Sequence, residues 1–137
     1  MSKILGIDYG AKRIGLAITD SLQLVASPLT TISTNLALEF LVDLIKKESI
    51  SCLVIGYPKD LMLNSTDSTS QVENFEKKIF GRIPDIKIHR FDERFTSKIA
   101  RRAILASGVS KNRRKNKELV DKISATIILQ DYLSYKS

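Results

Sequence analysis

The chain has 137 residues, 43% of them hydrophobic and 27% charged, with a formal net charge of +7. That length fits one domain over residues 1–137 with a core of its own, and no apolar run approaches the ~20 residues that span a bilayer. Cys52 is the only cysteine, which excludes an internal disulfide. With no signal-peptide pattern at the start, this points to a reducing, cytoplasmic setting.

In chain order, residues 3–9 and 13–19 read as an antiparallel hairpin turning at Gly10-Ala-Lys, and a short third strand is expected over 22–26. A helix should begin at Thr34 or Asn35, both good N-caps, and carries Leu36, Phe40, Leu41, Leu44 and Ile45 on a helical period. Residues 52–57 form an unbroken apolar run, the mark of a strand buried on both faces, which Pro58 ends. Residues 59–69 are rich in Ser, Thr and Asn and read as a loop.

A second helix follows, with Ser68 and Gln71 as a capping box and Val72, Phe75, Ile79 and Ile83 on one face. Pro84-Asp85 breaks it before a strand at 86–91. A third helix is expected over 96–107 with Gly108 at its C′ position, then a basic loop over 109–116. The last helix, 116–133, bears Leu119, Val120, Ile123, Ile127 and Leu133. Three antiparallel strands followed by βα units imply an α/β fold: a five-stranded mixed sheet with helices on both faces.

The apolar first strand ends in a carboxylate, Asp8, followed at once by a glycine turn and the cations Lys12 and Arg13. Asp92-Glu93 ends the last strand, and Asp121 lies in the first turns of the final helix. Carboxylates gathered at one place repel one another unless a cation neutralises them, so such a cluster implies a divalent metal. Mg²⁺ binds a few carboxylate oxygens at about 2.0–2.1 Å and keeps several waters, which suits phosphodiester chemistry. Alternation puts Asp92 and Glu93 on opposite faces, so one of the two is the ligand. Asp8 shares a face with Ile4 and Gly6, and Asp121 has Ser124 and Ala125 at helical spacing. Small residues on both surfaces would let the final helix approach the sheet and carry Asp121 towards Asp8.

The positive charge is concentrated. Between Arg94 and Lys122 stand ten Lys or Arg residues against Glu118 and Asp121. Lys98, Arg101 and Arg102 give one basic face, and Lys111, Arg113, Arg114, Lys115 and Lys117 give a basic segment just before Asp121. Contacts of this kind hold a phosphate backbone without reading its sequence. Few aromatics interleave with them, so a structured nucleic acid fits better than stacking on unpaired bases. His89, the single histidine, and Cys52 have no spacing for a zinc site and read as structural.

Four stretches carry a resemblance: Leu5-Gly-Ile-Asp-Tyr-Gly-Ala-Lys-Arg-Ile-Gly-Leu-Ala17, Val54-Ile-Gly-Tyr-Pro58, Asp92-Glu-Arg-Phe-Thr96 and Asp121-Lys-Ile-Ser-Ala125. In this order they resemble the YqgF family, also called RuvX, of RNase H-like nucleases, across essentially the whole chain. The resemblance implies an RNase H-like fold and a metal-dependent nuclease holding Mg²⁺ or Mn²⁺ on Asp8, Glu93 and Asp121, with Asp92 as the substitute for Glu93. It implies maturation of the 5′ end of small-subunit ribosomal RNA, so RNA is favoured over DNA as partner. Family members are also described as Holliday junction resolvases by similarity to RuvC. One departure stands out: after Gly-Tyr-Pro the family's glycine-containing loop is replaced by Lys59-Asp-Leu-Met-Leu-Asn-Ser-Thr66.

Lys12, Arg13 and Arg94 would then sit near the scissile phosphate. A resolvase would need a homodimer presenting two sites, whereas a ribosomal RNA nuclease can act as a monomer. Two further classes compete. An actin-like or sugar-kinase-like ATPase would need a second domain, for which 137 residues leave no room. A non-catalytic RNA-binding assembly factor would bind without Asp8 or Asp121.

Overall fold

The structure is a computed structural model and describes residues 2–57, 67–92 and 117–136. Five strands and three helices run in the order β1 (Lys3–Asp8), β2 (Arg13–Thr19), β3 (Ala26–Ser33), α1 (Thr34–Lys47), β4 (Ile50–Tyr57), α2 (Asp67–Arg82), β5 (Lys87–Asp92) and α3 (Lys117–Lys136). The strands form one sheet in the order β3-β2-β1-β4-β5. β2 is antiparallel to both β1 and β3, while β1, β4 and β5 are mutually parallel. The mixed five-stranded sheet is therefore as expected, with β1 in its middle.

Side-chain alternation along the strands divides the core in two. On one face Leu5, Ile7, Ile14, Leu16, Leu53 and Ile55 pack against Ala37, Leu41 and Ile45 of α1 and Val72, Phe75 and Ile79 of α2. On the other, Ile4, Ala17, Cys52, Val54 and Phe91 pack against Ala125, Ile128, Leu129 and Leu133 of α3. Strands covered on both sides need apolar residues at every position, which explains the unbroken runs of β1 and β4. Fully burying each such Leu or Ile stabilises by roughly 1.5–3 kcal/mol. Among the described residues no helix is long and apolar enough to cross a membrane.

α3 comes very close to the sheet at Gly6. A Cβ built there would lie 2.8 Å from Leu129 Cβ and 3.0 Å from the Ala125 carbonyl oxygen. Only glycine admits that approach. The buried stripe of α3 is Ala125, Ile128, Leu129 and Leu133, while Ile123 and Ile127 are half-buried. The close approach through small Ala125 is as expected, while Ile123 and Ile127, also named for the helix, lie at the edge of its buried stripe.

Several boundaries differ from expectation. The third strand covers Ala26–Ser33, not 22–26. Residues 20–25 instead form a loop closed by Asp20, whose carboxylate accepts the amides of Leu24 (2.9 Å) and Val25 (3.0 Å). Those Val25 and Leu24 amides hold the Asp20 carboxyl below its usual range. Side-chain closure of this kind outcompetes a strand ladder, and Leu22, Leu24 and Val25 are left exposed. β3 was hard to see because it is an edge strand, where Pro28 is tolerated and alternation is weak.

The N-cap of α1 is Ser33 rather than Thr34 or Asn35. α2 begins at Asp67, so Ser68 lies inside the helix instead of capping it, and 67–69 are helical rather than loop. The rest of the expected 59–69 loop, the 96–107 helix with Gly108 and the 109–116 loop lie outside the described residues. The final helix runs to Lys136, three residues beyond the expected end.

Two tests follow from this packing. Gly6→Ala should destabilise the fold by about 1–3 kcal/mol in urea denaturation, because the added methyl meets α3 backbone. Gly81→Ala, with nothing within 4 Å of its would-be Cβ, should stabilise α2 by about 0.5–1 kcal/mol. A pH test uses Asp131 of α3, whose carboxyl is pushed up by burial. A raised folded pKa means stability is greatest with the group protonated, below its unfolded pKa, and declines as pH rises through the folded value. Asp131→Asn should raise the melting temperature at pH 7 and lose that advantage near pH 3.

Candidate active site

Asp8 ends the central strand and is half-buried. In the sheet it stands opposite Gly15 of β2 and Gly56 of β4. A side chain at either position would project within about 5 Å of the Asp8 Cβ. Both neighbours are glycines, both buried, on the sheet face covered by α3. The sequence contained this signal: Gly15 lies two residues before Ala17 and Gly56 two after Val54, on the same alternation. A half-buried carboxylate at a strand end offers the hard oxygen donors that a divalent cation takes.

The course of α3 across this face can be followed from its contacts. Ala125 and Leu129 meet the sheet at Gly6. Gln130 Oε1 accepts the Ala26 amide at 3.0 Å, and Ala26 pairs with Thr19, at the far end of the β1–β2 hairpin from Asp8. Later residues of α3 thus approach the start of β1, and earlier ones its end. Asp121 falls one turn before Ala125, about 6 Å along the helix. Asp8 falls two residues after Gly6, about 6.6 Å along the strand.

On β5, Phe91 pairs with Gly56 and Asp92 with Tyr57. The strand position on the Asp8 face is therefore 91, not 92. Glu93 and Arg94 lie outside the described residues, as do Lys98, Arg101, Arg102, Lys111, Arg113, Arg114 and Lys115. Lys117 is the first residue of α3. Among the described residues no three His, Cys, Asp or Glu side chains form a metal-binding group.

Of the expected phosphate-contacting cations, Lys12 is exposed in the β1–β2 turn. Arg13 follows it and alternates with Gly15 onto the Asp8 face. This turn is fixed by a residue the sequence reading valued only as a cap. The Thr34 hydroxyl donates to the Gly10 carbonyl (2.7 Å), and the Thr34 amide donates to the Lys12 carbonyl (3.0 Å). No local pattern betrays such a contact across 24 residues. Gly10 is required as well, since a Cβ there would lie 2.5 Å from the Arg13 carbonyl oxygen.

His89 is exposed on β5, and Cys52 is buried in the core. The His89 ring stands 5.5 Å from that of Tyr132, and Cys52 is buried with its thiol donating to the Leu53 carbonyl (3.7 Å). Burial, then the adjoining Cys52, pushes the Tyr132 phenol up.

Comparison with known proteins agrees with this frame. The family model described as RuvX, Holliday junction resolvase, matches residues 2–135. The chain belongs to the RuvX family. Relatives of this RuvX-family chain include a Flavobacterium johnsoniae protein, 49% identical over 136 residues and covering 99% of both chains. A Bacteroides fragilis protein is 44% identical with the same coverage. Both bear the name "Putative pre-16S rRNA nuclease". Among solved structures, Thermus thermophilus RuvC in complex with a Holliday junction substrate superposes with a TM-score of 0.62 at 11% identity, covering 99% of this chain and 96% of that one. RuvC from the same organism without the junction gives 0.59 at 10% identity, with 96% of each chain covered. At such identity the likeness concerns the fold, which is RNase H-like.

Gly10→Ala should cost about 1–3 kcal/mol by forcing the turn against its own backbone. Thr34→Val, which keeps the shape and loses the donor, should cost about 0.5–1.5 kcal/mol. Urea denaturation measures both; an unchanged midpoint for Gly10→Ala would show that the turn is not held as described.

Proposed function

We propose that this chain is a divalent-metal-dependent endonuclease, a single RNase H-like domain over residues 1–137, that processes the 5′ end of pre-16S ribosomal RNA in the cytoplasm. The observation that carries the reading is Asp8, a carboxylate at the end of the middle strand on the sheet face that α3 covers.

Asp8, Glu93 and Asp121 would hold Mg²⁺ or Mn²⁺. The parity of β5 favours Glu93 over Asp92, since Phe91 and not Asp92 falls on the Asp8 face. Bound there, a divalent ion supplies neutralisation of phosphate charge and a lowered pKa for nearby water. The chain's own groups do the rest. The Asp8 carboxylate accepts a hydrogen bond from the attacking water and orients it, Arg13 and Lys12 offset charge building on the phosphate oxygens, and the basic residues of 94–117 grip the flanking backbone. The leaving 3′ oxygen takes its proton from solvent.

The relatives' names favour RNA as the substrate. The family description favours a second reading, cleavage of four-way DNA junctions, which needs a homodimer with two sites, where the RNA reading requires only a monomer. A non-catalytic role in ribosome assembly predicts binding without cleavage.

Purified protein should cut a precursor RNA spanning the 16S 5′ end in Mg²⁺ or Mn²⁺, faster than a matched four-way junction, and stop on chelation. Asp8→Asn should lower the rate by about 10²-fold or more while RNA affinity in gel shifts changes less than about fivefold. Cleavage by Asp8→Asn at the parental rate on every substrate would refute the mechanism.

A further inference from the structure

Beside the turn that follows Asp8, on the opposite face of the sheet, a cavity of about 470 Å³ opens between the start of α1 and one side of α2. Its floor is aromatic and apolar. The Tyr9 ring packs on Phe75 with centroids 5.2 Å apart, and Leu38 continues that surface. Its rim is polar and mostly amide: Asn35 from α1 and Gln71 and Asn74 from α2, with the Lys78 ammonium at one edge. The α2 residues follow a helical spacing of three and four, which aligns all three on one stripe of the helix.

These side chains do no visible structural work. No hydrogen bond or ion pair joins the side chains of Asn35, Gln71, Asn74 or Lys78 to another described residue, whereas Arg82 and Glu76 of the same helix are tied to Glu39 and Arg90. Three carboxamides over an aromatic floor with a cation at the edge match the parts of a nucleotide. The base lies on the apolar floor, its Watson–Crick edge exchanges paired donor and acceptor bonds with amides, and the phosphate meets the cation. The volume suits a small-ligand site.

Resting on the nuclease reading above, we infer that this cavity is a subsite for one unpaired nucleotide of the substrate, adjoining the phosphodiester cleaved at Asp8. Tyr9 and Asp8 are consecutive, so a strand crossing the end of β1 presents one nucleotide to the carboxylate and a neighbour to the cavity. A base engaged by amides on its pairing edge cannot also be paired. The subsite thus selects substrates with a single-stranded flank at the cleavage point, which a precursor RNA tail offers and a fully paired junction arm does not. The aromatic interleaving that the linear sequence lacks arises from Tyr9 and Phe75, brought together by the fold.

The test uses the full chain and separates this inference from the nuclease reading. Adenylate, guanylate, cytidylate and uridylate are titrated into isotopically labelled protein without metal. At least one should shift the side-chain amide resonances of Asn74 and Gln71. Asp8→Asn protein is then compared with and without Lys78→Ala, Asn74→Ala or Lys77→Ala, by fluorescence anisotropy on a labelled single-stranded oligoribonucleotide and a fully paired duplex. Asn74→Ala and Lys78→Ala should each weaken single-strand binding about fivefold or more and leave duplex binding within about twofold. Lys77→Ala, with the same loss of charge on the same helix outside the cavity, should weaken neither. Unmoved amides, or equal losses for Lys77→Ala and Lys78→Ala, would overturn the subsite even if the protein cuts RNA. Shifted amides in a protein that never cuts would keep the subsite and discard the nuclease.

Discussion

The contact between Gly6 and α3 is the constraint on which the rest of the arrangement depends. With no side chain at position 6, the Ala125 carbonyl and the Leu129 side chain come down onto the middle strand. That approach fixes the depth of the helix and hence where its first turns stand relative to the end of β1. Two residues beyond Gly6 the strand ends in Asp8, and one turn before Ala125 the helix carries Asp121. A single small residue therefore sets how far apart the two carboxylate-bearing positions stand. A side chain at position 6 would push α3 outward and separate the two carboxylate-bearing positions by the same movement.

The sheet enforces a second condition. An acid at the end of a strand buried on both faces would normally cost stability. Here its neighbours in register are Gly15 and Gly56, both buried, and Asp8 itself is only half-buried. The same glycines contribute little packing of their own.

Much of this was legible in the sequence because the central elements obey simple periods. The unbroken run of β4 announced burial on both faces, and alternation in β1 put Asp8 on the side of Ile4 and Gly6 and suggested the close approach of the last helix. Legibility failed where long-range geometry overrides local pattern. Leu22–Val25 looked like a strand, yet the Asp20 carboxylate captures its amides and the strand starts later, at an edge where burial imposes no alternation. Thr34 looked like a cap, but its hydroxyl is used across the fold to hold Gly10. The buried stripe of α3 was legible at Ala125 and Leu133 but not at Ile128 and Leu129, because apolar residues stand on more than one side of that helix. The same limit applied to binding: the amides of Asn35, Gln71 and Asn74 converge from two helices, and nothing in their spacing along the chain connects them.

The central claim is that Asp8 and Asp121 share a divalent ion. A crystal soaked in Mn²⁺, with data collected at the manganese edge, measures this directly. The account predicts an anomalous peak bridging the two carboxylates, within about 2.0–2.3 Å of an oxygen from each. Carboxylates too far apart to share an ion, with no peak at Asp8, would contradict it.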